Sequence, residues 1–329
     1  MATAALFRGA LLYEAGPAVT GVPPGGAPFA AAVGDLDEDG RPDLVVGNSG
    51  STAGSGFGNT VSVLRRSSYA SLPPHFQPRA SFETDFGPEG VAIADLNGDS
   101  HLDVVTANTG FGSGTVSVLY GDGSGGLSVH IDYPAGSVQG PIVVEDVNSD
   151  TWPDVLVGLS GASFAVLLND TGGGLLPPTS FTNGAAELRD LAVGDVTGDG
   201  LFDVVTANGG SHSVSVLRGD GTGDFSAFVG LFATGTFPWD VAIGTLDADA
   251  NPDLAVAARG SGAVSIMLGA GGGVFPGFVD HSVGQGAPWT LALGDLQGDG
   301  VLDVIAACNE GTQTSVNTLS YLKGIGGGT

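Results

Sequence analysis

The chain has 329 residues, 58 of them glycine, with 42% hydrophobic residues and a mean hydropathy of +0.26. A disordered chain is poor in apolar residues, so this composition excludes one and fits many short strands joined by tight turns. Nine basic residues stand against 35 acidic ones, a net charge of −26. That balance excludes nucleic acid as a partner and disfavours anionic membrane surfaces, since both need clustered Lys and Arg.

The first nine residues lack the basic and long apolar regions of a signal peptide. No run of 18 apolar residues predicts a membrane span. Ala5-Leu-Phe-Arg-Gly-Ala-Leu-Leu-Tyr-Glu14 reads as an outer strand without the three that should precede it.

The next element is the loop Asp35-Leu-Asp37-Glu-Asp39-Gly40-Arg-Pro-Asp43. Side chains at positions 1, 3 and 5 of a tight loop converge on one point. The backbone carbonyl of Arg41 can join them, and Asp43 can close the shell from the next strand. Hard oxygen ligands in this number suit Ca²⁺ far better than a transition metal. An EF-hand would need a Glu at position 12 and flanking helices. Here position 12 is Val46 and the flanks are strand-like.

The loop recurs five times, at spacings of 60, 51, 49, 50 and 50 residues. The copies place Asp95, Asn97, Asp99, the carbonyl of His101 and Asp103 in loop two. Loop three has Asp146, Asn148, Asp150, the carbonyl of Trp152 and Asp154. Loop four has Asp195, Thr197, Asp199, the carbonyl of Leu201 and Asp203. Loop five has Asp247, Asp249, the carbonyl of Asn251 and Asp253, with Thr245 at position 1 and Ala250 at the glycine position. Loop six has Asp295, Gln297, Asp299, the carbonyl of Val301 and Asp303. Loop one, with four carboxylates, should bind most tightly, and loop five most weakly. The loops hold 19 of the 28 aspartates. Such crowding repels unless a cation neutralises it. Up to six Ca²⁺ are expected, which would bring the charge from −26 to −14.

A period near 50 marks a repeat architecture. Each unit reads as an apolar strand, the acidic loop, a second apolar strand such as Asp103–Asn108, an alternating third such as Thr115–Leu119, a glycine hairpin and a weaker fourth strand. Four antiparallel strands in six units, with no ten-residue helical pattern, predict a six-bladed all-β propeller occupying 1–329 as one domain. The N-terminal strand is expected to complete blade six, which ends in Gly324-Ile-Gly-Gly-Gly328, and so close the ring.

This unit resembles the FG-GAP/VCBS repeat, which builds the calcium-binding propellers of integrin α-subunits, many secreted bacterial proteins and a fungal lectin. The resemblance covers nearly the whole chain. It implies that the acidic loops join strands one and two on one face and that partners use the opposite face. Weak calcium sites would stand empty at cytosolic calcium, so the protein is expected to work outside the cell or at its surface. The best-known members have seven blades, against six counted here.

On that opposite face, the residue six before each loop start opens strand one: Phe29, Glu89, Gly140, Arg189, Trp239 and Trp289. Phe29, Glu89, Arg189, Trp239 and Trp289 are the candidate ligand contacts, for a sugar ring or a protein side chain. Packing between blades is the competing role. No nucleophile elbow, phosphate loop, dinucleotide fingerprint or histidine ligand spacing predicts catalysis. Cys308, the one cysteine, lies in an apolar run and reads as a buried thiol. Asn169-Asp-Thr171 is a lone glycosylation sequon. The function expected is recognition of protein or glycan by a calcium-braced module. A lectin, or a glycan lyase or hydrolase on the same scaffold, are the alternatives.

Overall fold

A computed structural model describes residues 28–49, 58–66, 76–110, 114–247, 249–284, 286–309 and 318–324. The N-terminal strand expected to close the ring lies outside these residues, as does most of the terminal glycine run.

The fold class is as the sequence predicts: all-β, six successive blades of antiparallel strands in propeller arrangement. Blade one is β1 (Pro28–Gly34), β2 (Asp43–Asn48), β3 (Thr60–Leu64) and β4 (Ala80–Glu83). Blade two is β5 (Pro88–Ala94), β6 (Asp103–Asn108), β7 (Gly114–Leu119) and β8 (Ile131–Gly136). Blade three is β9 (Val138–Glu145), β10 (Asp154–Leu159), β11 (Ser163–Leu167) and β12 (Thr179–Thr182). Blade four is β13 (Leu188–Gly194), β14 (Asp203–Asn208), β15 (Ser213–Arg218) and β16 (Ala227–Ala233). Blade five is β17 (Pro238–Gly244), β18 (Asp253–Ala258), β19 (Ala263–Met267) and β20 (Val279–Ser282). Blade six has three described strands, β21 (Ala287–Gly294), β22 (Asp303–Asn309) and β23 (Thr318–Leu322). Helix is confined, among the described residues, to two 3-10 turns, Gly209–Ser211 and Arg259–Ser261.

Within every blade the strands pair in chain order. Strand two is the most buried: β6, β10, β14 and β18 are enclosed along their whole length. Their near-continuous apolar runs follow from being covered on both faces. Strand one keeps a half-open face, and strand four is mostly exposed, as its variable sequence suggests. Cys308 is 3% exposed, in agreement with a buried thiol.

The chain divides into two compact units, Met1–Leu159 with Ala165–Thr179, and Ser160–Phe164 with Ser180–Thr329. In the first, Leu36, Val45, Val61 and Val63 of blade one pack with Val104 and Leu119 of blade two. Val105, Val116 and Val118 of blade two pack with Val155 and Val157 of blade three. Strands β5 and β9 come so near that a Cβ on Gly90 would lie 1.9 Å from the carbonyl oxygen of Gly140. Only glycine can occupy that position.

In blades four and five, within the second unit, the equivalent position carries acid instead. Asp190 accepts the backbone N–H of Val241 in the next blade (3.0 Å), and Asp240 accepts that of Leu291 in the one after (2.9 Å). Each residue keeps part of its surface open, but the carboxyl groups are enclosed and bonded to each other. Loss of water, followed by the charge of Asp240, holds Asp190 well above its ordinary range; loss of water also raises Asp240. A hydrogen bond between two carboxyl groups needs one proton between them, and the raised pKa of both favours holding it. Because the folded state holds this proton more tightly than the unfolded chain, stability falls as pH rises through the raised pKa. Asp190→Asn keeps both an acceptor for Val241 and a donor for Asp240. Its melting temperature should gain on the wild type as pH is raised from 5 to 9 in calorimetric scans, and parallel pH profiles would contradict the shared proton.

Candidate functional site

The acidic loops share one hydrogen-bonding plan. The first aspartate takes backbone N–H groups from positions four to six: Asp35 from Asp39 (3.1 Å) and Gly40 (2.8 Å), Asp195 from Gly198 (2.7 Å), Asp199 (3.1 Å) and Gly200 (2.8 Å). Asp95, Asp146 and Asp295 do the same. The fifth residue accepts the N–H of the seventh in all six loops, between 2.8 and 3.1 Å. To wrap a carboxylate this way, positions four and six of five loops adopt the left-handed region, as at Glu38 and Gly40 or Ser149 and Thr151. Loop five differs: Ala250 stays out of that region and Thr245 is exposed.

The ninth residue is a different kind of acid. Asp43, Asp103, Asp154, Asp203, Asp253 and Asp303 are at most 1% exposed. One oxygen of each takes a backbone N–H from the start of its own loop, and the other takes one from the end of strand three or the turn after it. For Asp103 the donors are Leu96 and Gly121, both at 2.8 Å. For Asp253 they are Leu246 (2.7 Å), Asp247 (3.2 Å) and Gly269 (2.8 Å). Burial pushes Asp103 and Asp154 up to about 6, against the opposing pull of these N–H bonds. The sequence reading treats this residue only as a metal ligand, and its backbone clamp is not visible at that level.

The side chain at the third position, and the partners of the third and fifth, differ from loop to loop. In loop one, oxygens of Asp35, Asp37 and Asp39 lie within 4.8 Å of one another. One oxygen of Asp37 is enclosed with no hydrogen-bond partner, and burial followed by the charge of Asp39 raises its pKa. An enclosed carboxylate oxygen without a donor fits a hard cation. Arg41 pairs with Asp39 here. In loops two and three the third residue is a neutral amide, and Asn97 and Asn148 donate to Asp99 (3.0 Å) and Asp150 (2.9 Å). In loop four, Arg218 grips Asp199 at 2.6–2.7 Å and lowers its pKa. Gln297 of loop six turns its amide nitrogen to Asp303 (3.3 Å) and to the Tyr321 hydroxyl.

At the other end of strand one, five blades carry a β-bulge at one place. Pairing slips between Pro28 and Ala30, Pro88 and Gly90, Leu188 and Asp190, Pro238 and Val241, and Pro288 and Thr290. The residues left out of the ladder include a predicted contact each time: Phe29, Glu89, Arg189, Trp239 (together with Asp240) and Trp289. A bulge re-aims its side chain and is enriched beside functional sites.

In the first unit Phe29 is 65% exposed. Glu89 meets the hydroxyls of Ser49 (3.4 Å) and Thr109, and burial raises its pKa. Gly140 lies against the Glu89 side chain. In the second unit, Trp239 and Trp289 pack edge-to-face with centroids 4.8 Å apart. The Arg189 guanidinium stacks on Trp239 at 4.5 Å and on Phe237 at 5.3 Å. The Arg259 guanidinium stacks on Trp289 at 3.8 Å and on Trp239 at 4.6 Å. Glu187 pairs with Arg189.

Three members of this cluster are missed by sequence reasoning. Glu187 and Phe237 sit two residues before the bulge, with φ of 62° and 54°, where blade two has Gly87 at 76°. Bulky residues held in that region are uncommon and cluster at functional sites. Arg259 stands fourteen residues after its loop start, aligned with Ser49, Thr109 and Gly209. A Cβ at Gly209 would meet the Arg189 stem at 3.0 Å, so that blade leaves room where the next supplies a cation. Aligning the repeats at this position, as well as at the loops, is the signal that finds it.

Repeated blades, register-matched acidic loops and a bulge-borne side chain at the opposite strand end define a repeat propeller with one acidic loop per blade. The family profiles agree: FG-GAP-like repeats match residues 95–157, 146–206, 195–256 and 246–306, and an FG-GAP repeat matches 27–64. The chain belongs to the FG-GAP repeat family. No curated protein matches it significantly. Among solved structures it is similar to an Agrocybe aegerita lectin, described as recognising non-reducing terminal N-acetylglucosamine (16% identity, TM-score 0.53, 91% of this chain and 81% of that one). A Photorhabdus luminescens Tc holotoxin pore (17%, 0.46, 92% and 14%) and Chaetomium thermophilum Raptor (15%, 0.47, 86% and 23%) also match. At such identities the likeness concerns the fold alone.

The two kinds of loop acid separate in a chelator, where no metal contributes. Asp253→Ala strands three backbone N–H groups and should cost roughly 3 kcal/mol or more by denaturant titration. Asp249→Ala, at an exposed position, should cost within about 0.5 kcal/mol. Equal losses would remove the distinction.

Proposed function

We propose that this chain is an extracellular recognition module, stiffened by calcium at its acidic loops, that grips a glycan or protein ligand with the bulge residues of blades four to six. The observation that carries the reading is the cluster of Trp239, Trp289, Arg189 and Arg259. Aromatic rings and guanidiniums are the side chains most often found at the centres of binding sites. Here successive bulges on rigid strands present them together. The FG-GAP family, typical of extracellular proteins, supports a recognition role. The reading is one of binding without turnover.

A lectin is the narrower form of the same reading. Paired Trp rings suit the C–H face of a pyranose. On a glycan array, wild type should give a defined set of hits that Trp239→Ala/Trp289→Ala loses while melting like the wild type. A folded double variant that keeps every hit would move the site elsewhere.

Calcium is proposed as a brace. Its residues would be Asp35, Asp37 and Asp39 in loop one and their counterparts in the other loops, where it would supply positive charge to crowded carboxylates. Extracellular calcium modules bind at about 10⁻⁴–10⁻³ M. At free calcium ten times Kd, each occupied loop adds about 1.4 kcal/mol. Excess EDTA should therefore lower the melting temperature, and Asp37→Asn should reduce the calcium-dependent part of the shift. A melt indifferent to EDTA would overturn the brace.

A further inference from the structure

We propose that the cluster around Trp239 takes the single carboxylate of an acidic sugar, a uronate joined to neutral sugar, with Arg259 and Arg189 as its counter-charge. This deepens the recognition reading above and rests on it.

The argument begins with how scarce cations are. Most basic side chains among the described residues are engaged with acceptors. Arg41 pairs with Asp39, Arg218 with Asp199 and Lys323 with Asp299, and Arg65 donates to the carbonyl of Ser124. Arg259 is different. Its contacts are the faces of Trp239 and Trp289, and no carboxylate among the described residues pairs with it. Loss of water, and then the positive charge of Arg189, hold it below its usual pKa. Stacking occupies the face of a guanidinium and leaves its in-plane N–H donors free.

Arg189 is also incompletely matched. Glu187 takes its Nη2, but Nε is enclosed with no hydrogen-bond partner. Two guanidiniums and one carboxylate leave an uncompensated positive charge, set among rings, in a chain of net charge −26. A ligand carboxylate supplies what is missing: two oxygens in a plane, matching the guanidinium fork.

The same charge balance limits the ligand. A polyanion would be repelled by a surface this acidic, so one carboxylate per binding unit is favoured. The rings of Trp239, Trp289 and Phe237 offer apolar contact to the sugar that carries it. A glucuronate linked to galactose has this composition. Glucose linked to galactose in the same way is its neutral isostere.

Titration calorimetry in calcium-containing buffer tests the assignment with these two disaccharides. Wild type should bind the glucuronate compound at least about 10-fold more tightly than the neutral one, the scale of a lost charge-assisted hydrogen bond. Arg259→Gln should erase that difference, and 300 mM NaCl should shrink it. Arg259→Lys, which keeps the charge without the fork, should retain part of it and shows whether the site tolerates substitution if the glutamine variant fails to fold. Equal affinity for both sugars, no binding of either, or an unchanged preference in a folded Arg259→Gln would overturn the proposal. So would equal binding of a capped peptide with one glutamate. Trp289→Ala separates the two levels. If it leaves sugar binding intact, the recognition site itself is misplaced. If it abolishes binding that Arg259→Gln leaves untouched, only the anionic ligand is wrong.

Discussion

A buried carboxylate accepting two backbone N–H groups is the interaction on which each blade depends. The ninth loop residue ties the start of its loop to the end of strand three or the turn after it, so the loop, strand two and that turn are fixed as one piece. Backbone N–H groups buried without acceptors are costly, and this side chain answers them in all six blades. Its own burial is uphill, as the raised pKa of Asp103 and Asp154 records. A cation nearby would ease that cost. The clamp is formed by the chain alone, and the acidic positions ahead of it would hold the cation proposed above.

At the opposite end of strand one a second device repeats. A bulge releases one residue from the ladder, or two in blade five, while the strand on either side stays paired. In the first unit it presents Glu89 between two hydroxyls. In the second it presents Arg189, Trp239 and Trp289 to one another. The backbone is common to both units and the chemistry is not.

The fold was legible in the sequence because its signals repeat. Six acidic loops in register, apolar runs on either side and glycine hairpins all state the same period, so each blade confirms the next. The loop residues were legible for the same reason, and the bulge positions followed by counting back from the loops. Phe237, Glu187 and Arg259 were not, because they matter by differing from their counterparts in other blades rather than by matching them. The shared carboxyl pair Asp190 and Asp240 was hidden likewise. Its positions hold Ala30 in blade one and Gly90 in blade two, and only strand proximity in three dimensions brings the two acids together. The amide orientations of Asn97, Asn148 and Gln297 depend on neighbours that no linear pattern names.

The bulge also bears on how such a chain can change over generations. A residue outside the ladder contributes little to strand pairing, so its identity is weakly constrained by folding. Phe, Glu, Arg and Trp all stand there in one protein. Each blade therefore offers a position where a new side chain can be tried while the clamp beneath it goes on holding the blade. Specificity in this architecture can drift, duplicate or be redesigned one repeat at a time, without renegotiating the core.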